Sequence, residues 1–251
     1  MLNILHLSDP HFHSSWEDNK EVTAKLEYIG NEFPDHKLIV TGDIVDDGYG
    51  AQYRRALEAF QPFIGRIFIC PGNHDFGRKG NLYSKNCVNR FDKLMYDLGH
   101  RQKYGSHPIV HVLKDEDNTR GIMLIGLSSA IRSKDPFDFA CGRIGWLQRR
   151  RLDRILMNPE TIGMRKIVYF HHHPFEWFSF FGQMLDARKL IRLLSAKCEV
   201  VLFGHKHKSD MWTKYNYIDY ILSAADLRRT KMIREISVDK EVISVQEHSI
   251  G

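Results

Sequence analysis

Oxygen and imidazole groups suited to divalent metals recur in short clusters along the chain. These are Asp9-Pro10-His11, Gly42-Asp43, Gly72-Asn73-His74-Asp75, His171-His172-His173 and Gly204-His205-Lys206-His207, with Asp46-Asp47 trailing the second. Asp, His and Asn without Cys form a borderline-hard donor set that suits Mn, Fe, Zn or Co better than Ca or a thiolate-bound structural zinc. Isolated Asp or His residues are common on surfaces, whereas the same types repeated at the ends of apolar runs imply one assembled site. Two ions about 3.5 to 4 Å apart can grip a phosphate together, and one can lower the pKa of a bound water toward neutrality. A carboxylate such as Asp43 can bridge them. Two carboxylates against two dications leave a net charge of about +2, which favours an anionic phosphoester.

The elements that must position these groups are legible in the runs before them. Residues 2–7, 37–41, 66–70, 165–170 and 199–203 are short, rich in Ile, Val, Leu and Phe, and bounded by Gly, Pro, Asp or Asn, which predicts buried strands. Each cluster then sits where a strand ends. Val22, Leu26, Ile29 and Phe33 recur at helical spacing between the first two strands, and Tyr53, Leu57 and Phe60 between the next two. Strand, helix, strand, helix, strand predicts parallel pairing, and α/β proteins place their sites in loops at the carboxyl ends of such strands.

A chain of 251 residues that is 43% hydrophobic can bury a substantial core, and with no linker, repeat or low-complexity tract it reads as a single domain over 1–251. No apolar run approaches the ~20 residues of a membrane span, and the first strand leads directly into Asp9 without room for a secretory leader. The expectation is a soluble, cytoplasmic protein. Cys70, Cys87, Cys141 and Cys198 show no Cys-x-x-Cys spacing and read as reduced thiols rather than ligands. A net charge of +5 and a pI near 8.9 suit phosphate-bearing ligands but fall short of a dedicated nucleic-acid footprint. Arg149-Arg150-Arg151 reads as the solvated face of a helix whose apolar residues are Ile144, Leu147, Leu152 and Ile155, while Arg228-Arg229 divides evenly between solvated and functional readings.

Taken in order, Asp-x-His, Gly-Asp-x-x-Asp, Gly-Asn-His-Asp, His-His-Pro and Gly-His-x-His resemble the calcineurin-like metallophosphoesterases. Within them the pattern is similar to the bacterial branch containing class III cyclic nucleotide phosphodiesterases and glycerophosphodiesterases. Singly these motifs are weak; all five in sequence, each after an apolar strand, are specific. The resemblance implies an α/β fold in which two mixed β-sheets stack as a sandwich flanked by helices. It implies two divalent metal ions, the first held by Asp9, His11, Asp43 and His207, the second by Asp43, Asn73, His172 and His205. His172, which precedes the His-Pro pair, is preferred over His171. His74 would contact the phosphate or protonate the leaving oxygen, with Asp75 holding its tautomer. The implied reaction is in-line attack by metal-bound hydroxide on a phosphodiester.

Other residues carry blander readings. His6 and His111 lie in predicted strands, where a histidine is more often hydrogen-bonded core or support than ligand. His13 sits at the rim, Asp46 supports the ligands, and Asp47 reads as a loop-solvating acid or a helix N-terminal residue favoured by the macrodipole. Phe175 stands where the branch often has a second proline and opens an aromatic stretch through Phe181 that suits either a substrate entrance or a subunit contact in a homodimer. Residues 77–107 carry Val88, Phe91, Leu94, Met95 and Leu98 at helical spacing and read as a cap insertion, with Arg78, Lys79 or Tyr83 near the phosphate. A hairpin over 232–238 and 241–246, turning at Asp239-Lys240, closes the chain. The leading class is a dimetal phosphodiesterase acting on a small phosphoester, nucleotides included. A phosphomonoesterase or nuclease of the same fold is the alternative, and a non-catalytic scaffold is disfavoured because every ligand position is filled.

Overall fold

The computed structural model describes every residue except 1, 106, 115–120, 133–136, 138–139, 176–180, 240–241 and 251. The first half alternates strand and helix: β1 (Leu2–Leu7), α1 (Lys20–Glu32), β2 (Lys37–Val40), α2 (Gly50–Phe60) and β3 (Ile67–Ile69). As expected, β1–β2 and β2–β3 pair in parallel. There follow α3 (Asn73–Phe76), a small hairpin of β4 (Gly77–Arg78) and β5 (Leu82–Tyr83), and α4 (Lys85–Asp97). The second half runs β6 (Ile109–Lys114), β7 (Gly121–Gly126), α5 (Trp146–Leu156), β8 (Arg165–Tyr169), α6 (Ala187–Leu194), β9 (Val200–Phe203), β10 (Met211–Tyr215) and β11 (Ile218–Ser223). It ends in β12 (Met232–Val238) and β13 (Ile243–Ser249). These form a five-stranded sheet, β13-β12-β1-β2-β3, and a six-stranded sheet, β10-β11-β9-β8-β7-β6. Both are mixed: β7–β8, β8–β9 and β9–β11 are parallel, while β12 pairs antiparallel with β1 and β13.

Side chains on a strand alternate between faces, and the central strands use both. Ile167 and Tyr169 of β8, with Val200 and Leu202 of β9, join the first sheet's Leu5, Leu7 and Ile39 in one core. The intervening Val168, Phe170, Val201 and Phe203 turn the other way, against Leu152 and Leu156 of α5 and Leu190, Ile191 and Leu194 of α6. Strands buried on both faces read as continuous apolar runs, which is why they were legible. Each fully buried Leu, Ile or Phe contributes about 1.5–3 kcal/mol, so the clusters at strand ends are carried by well-anchored elements.

Several expectations need correcting in detail. Phe33 is not the last turn of α1 but its cap, and Leu147 of α5 is exposed while Gln148 turns inward. Arg149 is not solvated, because its guanidinium pairs with the carboxylate of Asp186, which also accepts from the Ile144 and Gly145 amides. The apolar side of α4 enters the main core through Val88, Phe91, Leu94 and Met95, and what this segment lays against the metal-binding clusters is the β4–β5 turn. Glu176 to Phe180 of the aromatic stretch, and Lys240 of the terminal turn, lie outside the described residues. The four cysteines are buried and unbridged. Among the described residues no helix is long and apolar enough to cross a membrane.

Candidate metal centre

Asp9 and His11 follow β1, Asp43 follows β2, Asn73 and His74 follow β3, His171 follows β8, and His205 and His207 follow β9. Parallel neighbours direct all these carboxyl ends to one side of the two sheets, which is how clusters so distant in sequence meet. The turns are sharp. Asp9, His11, Asp43, His205 and His207 all adopt positive φ, between 44° and 74°, a conformation that costs a non-glycine residue energy and collects at functional sites. Gly72 and Gly204 allow the close approach, since a Cβ on either would collide with the carboxylate of Asp43 or Asp9.

Two groups of donors share one carboxylate. In the first, Asp9 Oδ1 lies 3.3 Å from His207 Nε2 and 3.9 Å from His11 Nε2. In the second, His171 Nε2 lies 3.2 Å from Asn73 Oδ1 and 3.1 Å from His205 Nδ1. Asp43 Oδ2 stands between them, 3.8 Å from His11 Nε2 and 3.2 Å from His171 Nε2. Its other oxygen accepts the His74 amide at 2.9 Å, which sets the carboxylate's orientation.

Metal ions fit these residues. Asp9 Oδ1 and His11 Nε2 are buried without a hydrogen-bond partner, an expensive state that a cation would relieve. The field points the same way. Burial works to lower the pKa of His11 and His171, yet the surrounding carboxylates, Asp46 and Asp43 foremost, push both up to about 9. A place that holds an imidazole cationic against burial is a place of strong negative potential.

His171, not His172, stands in this cluster. Its Nδ1 donates to the Thr41 carbonyl at 2.7 Å, leaving Nε2 as the donor atom that faces Asp43, Asn73 and His205. Both ring nitrogens of His172 are engaged elsewhere, Nδ1 with Ser129 Oγ at 2.8 Å and Nε2 with the Ala140 carbonyl at 3.1 Å. Burial and neighbouring His171 push its pKa down to about 3. Successive residues at a strand end face opposite ways, so register rather than motif decides between them.

Asp75 does not touch the His74 ring. Its carboxylate is buried and accepts the Ile44, Val45 and Gly72 amides at 3.2, 3.1 and 2.8 Å, tying the two ligand loops together. Burial and the charge of Asp43 push its carboxyl up, against those three donors. The His74 ring is oriented instead by Asp46, whose backbone carbonyl accepts from Nδ1 at 2.6 Å. The Asp46 carboxylate lies 3.4 Å from His11 Nδ1 and 3.6 Å from His13 Nδ1. On the far side of His74, a Cβ at Gly80 in the β4–β5 turn would meet Nε2 at 2.9 Å, and Lys79 N holds that turn on the Asp47 carboxylate at 3.1 Å.

Residues beyond the motifs complete the shell. His6 Nε2 lies 3.1 Å from Thr41 Oγ1, Thr41 Oγ1 donates to Ser8 Oγ at 2.8 Å, and Ser8 Oγ donates to Asp9. His111 packs against Phe68 and His100, away from the clusters. Asp226, after β11, places Oδ2 3.8 Å from His207 Nδ1, and Arg228 donates to the His11 carbonyl at 3.0 Å. The apolar run before Ser223 and the acid after it repeat the pattern of the other clusters, a signal that could have found Asp226.

The family model for calcineurin-like phosphoesterases matches residues 2–209, a span that contains every donor of both groups. The chain belongs to the calcineurin-like phosphoesterase family. Two curated relatives are similar to it. One, a probable glycerophosphodiester phosphodiesterase of Arcobacter nitrofigilis, is 25% identical over 228 residues, 84% of this chain and 74% of that one. The other, a 3',5'-cyclic adenosine monophosphate phosphodiesterase of Haemophilus influenzae, is 29% identical over 89 residues, and the chain spans only 32% of its length. A dimetal phosphatase from Danio rerio shares the fold over 100% of this chain and 96% of its own, with TM-score 0.66 and 12% identity. The two stacked mixed sheets are thus the family's fold, as the motif order implied.

Proposed function

We propose that this member of the family is a two-metal phosphodiesterase. The observation that carries the reading is the position of Asp43, whose Oδ2 reaches toward His11 on one side and His171 on the other. On this reading Asp9, His11, Asp43 and His207 hold one ion, while Asp43, Asn73, His171 and His205 hold the second. Mn, Fe, Zn and Co all suit the donor set. Ions bound there would supply Lewis acidity toward phosphoryl oxygens and an acidified water.

The chain's own groups do the rest. Counting the ligands alone, two carboxylates against two dications would leave a charge of about +2, which would attract an anionic ester. His74 is held by Asp46 with Nδ1 as donor, so Nε2 is the nitrogen left to face the substrate, and only with a second proton on the ring would it donate to a phosphoryl oxygen or pass that proton to the leaving alkoxide. Gly80 keeps the space beside that nitrogen clear. The preference for diesters is supported by the two curated relatives, both named as phosphodiesterases.

The test is hydrolysis by the metal-reconstituted protein of a bis-aryl diester, an aryl monoester, a cyclic nucleotide and an oligonucleotide. Diesters should be cleaved fastest, and His74→Ala should lower kcat about a hundredfold while leaving metal content intact. Faster turnover of the monoester would sink the diester reading, faster turnover of the oligonucleotide, itself a diester, would replace the small-substrate reading with a nuclease, and full activity of His74→Ala would sink the role given to that ring.

A further inference from the structure

Between β11 and β12 the chain makes a turn that no ligand motif includes, and it reaches both loops of one half of the centre. Its path is set by the sheet: β11 runs parallel to β9, so the residues after it travel beside Gly204 to His207. Ala224 N donates to the Phe203 carbonyl at 3.0 Å, and Leu227 N donates to the Ser8 carbonyl at 3.0 Å. Lys25, buried on α1, grips the turn from behind, donating to the Leu227 and Arg228 carbonyls at 3.2 and 2.6 Å. The turn is therefore anchored to the core independently of the donors it faces.

We infer that Asp226 and Arg228 form a brace that positions the His11 and His207 half of the centre. The inference rests on the two-metal reading above. Asp226 is buried, and its Oδ1 accepts the Arg228 amide at 2.8 Å, which leaves Oδ2 toward His207 Nδ1 at 3.8 Å and Arg229 Nε at 3.7 Å. A carboxylate facing the outer nitrogen of an imidazole holds the ring's orientation and leaves the inner nitrogen, here Nε2 beside Asp9, as the donor. That matters most at His207, whose side chain is 41% exposed and so is not held by packing. Arg228 acts on the backbone. Its Nη2 donates to the carbonyl of His11, a residue in the left-handed region at φ 44°, and so helps keep that ring on the Asp9 side. Both are positioning residues, and neither belongs to either donor group.

The test is calorimetric titration of metal-free protein with Mn²⁺, comparing wild type with Asp226→Asn, Arg228→Met and His207→Ala. Wild type should show two binding events. Asp226→Asn and Arg228→Met should each weaken one event about 10–100-fold and leave the other unchanged. Because Asp226 acts through His207, adding Asp226→Asn to His207→Ala should change the affinity little further, whereas a merely structural acid would add its full effect. Melting of the metal-free variants close to wild type would separate lost positioning from lost folding. Two events unaltered in both variants, or both weakened equally, would overturn the brace. A wild-type protein that takes up a single ion would overturn the two-metal reading, and the brace with it.

Discussion

The two halves of the centre use similar donors but are held by opposite means. Asn73, His171 and His205 follow β3, β8 and β9, and His171 is fully buried with its outer nitrogen locked on the Thr41 carbonyl at 2.7 Å. His11 and His207 have side chains 11% and 41% exposed, with the Asp46 and Asp226 carboxylates facing their outer nitrogens at 3.4 and 3.8 Å. The sealed half is preorganised by packing, the open half by a few directed polar contacts. A phosphoester can reach the second more readily than the first, and exposure there has to be compensated by neighbours such as Asp46 and Asp226.

The sharpest break in that contrast would come from the group the halves share. Asp43→Ala should lower turnover about a thousandfold and impair both binding events, because it removes the one carboxylate facing both. If only one event changed, Asp43 would belong to a single half. Next in size is the choice within the histidine run. His171→Ala should cost about a hundredfold in activity and abolish the sealed half's ion, whereas His172→Ala should keep two ions and lose about 1–3 kcal/mol of stability through the unpaired Ser129 hydroxyl. The opposite outcome would restore His172 as the donor.

Smaller effects test the openness itself. Under a graded chelator challenge followed by metal analysis, one equivalent should leave before the other, and Asp226→Asn should hasten only the first loss. Gly80→Ala should lower kcat about tenfold and loosen the sealed half's ion, since its Cβ would press on Asn73 Nδ2 as well as on His74 Nε2. The gentlest probe is pH. Burial pushes His6 down to about 3 and His111 down to about 4, so below an ordinary histidine pKa near 6.5 the unfolded chain binds protons that the folded chain refuses. Both groups are neutral in both states above that value, so their effect vanishes there. Stability of the metal-free protein should therefore fall as pH drops from about 6.5, by up to about 1.4 kcal/mol per unit for each such histidine, and His6→Asn should shallow the slope in urea titrations.

Much of the fold was readable because its central strands are buried on both faces and so leave apolar runs of the right length. Residues 2–7, 165–170 and 199–203 lie within a residue of the observed β1, β8 and β9. The hairpin of β10 and β11 was not read, since the burial of β10 is slight and its Met-Trp-Thr-Lys-Tyr sequence does not alternate. α6 escaped for a different reason: it is only eight residues long and follows the aromatic stretch without a clear break.

For the centre itself, residue type and order were enough to single out Asp9, His11, Asp43, Asn73, His205 and His207 as candidates that the fold gathers in one place, because these side chains suit metal ions and strand ends are marked by composition. Which of two adjacent histidines turns inward, which carbonyl orients His74, and that Asp75 ties loops rather than a ring depend on register and backbone direction. So does the turn at Asp226 and Arg228, which reaches the centre only because β11 lies beside β9. Local pattern records what a residue can donate. The direction in which it donates is set by contacts between segments as much as 217 residues apart, and those exist only once the sheets have assembled.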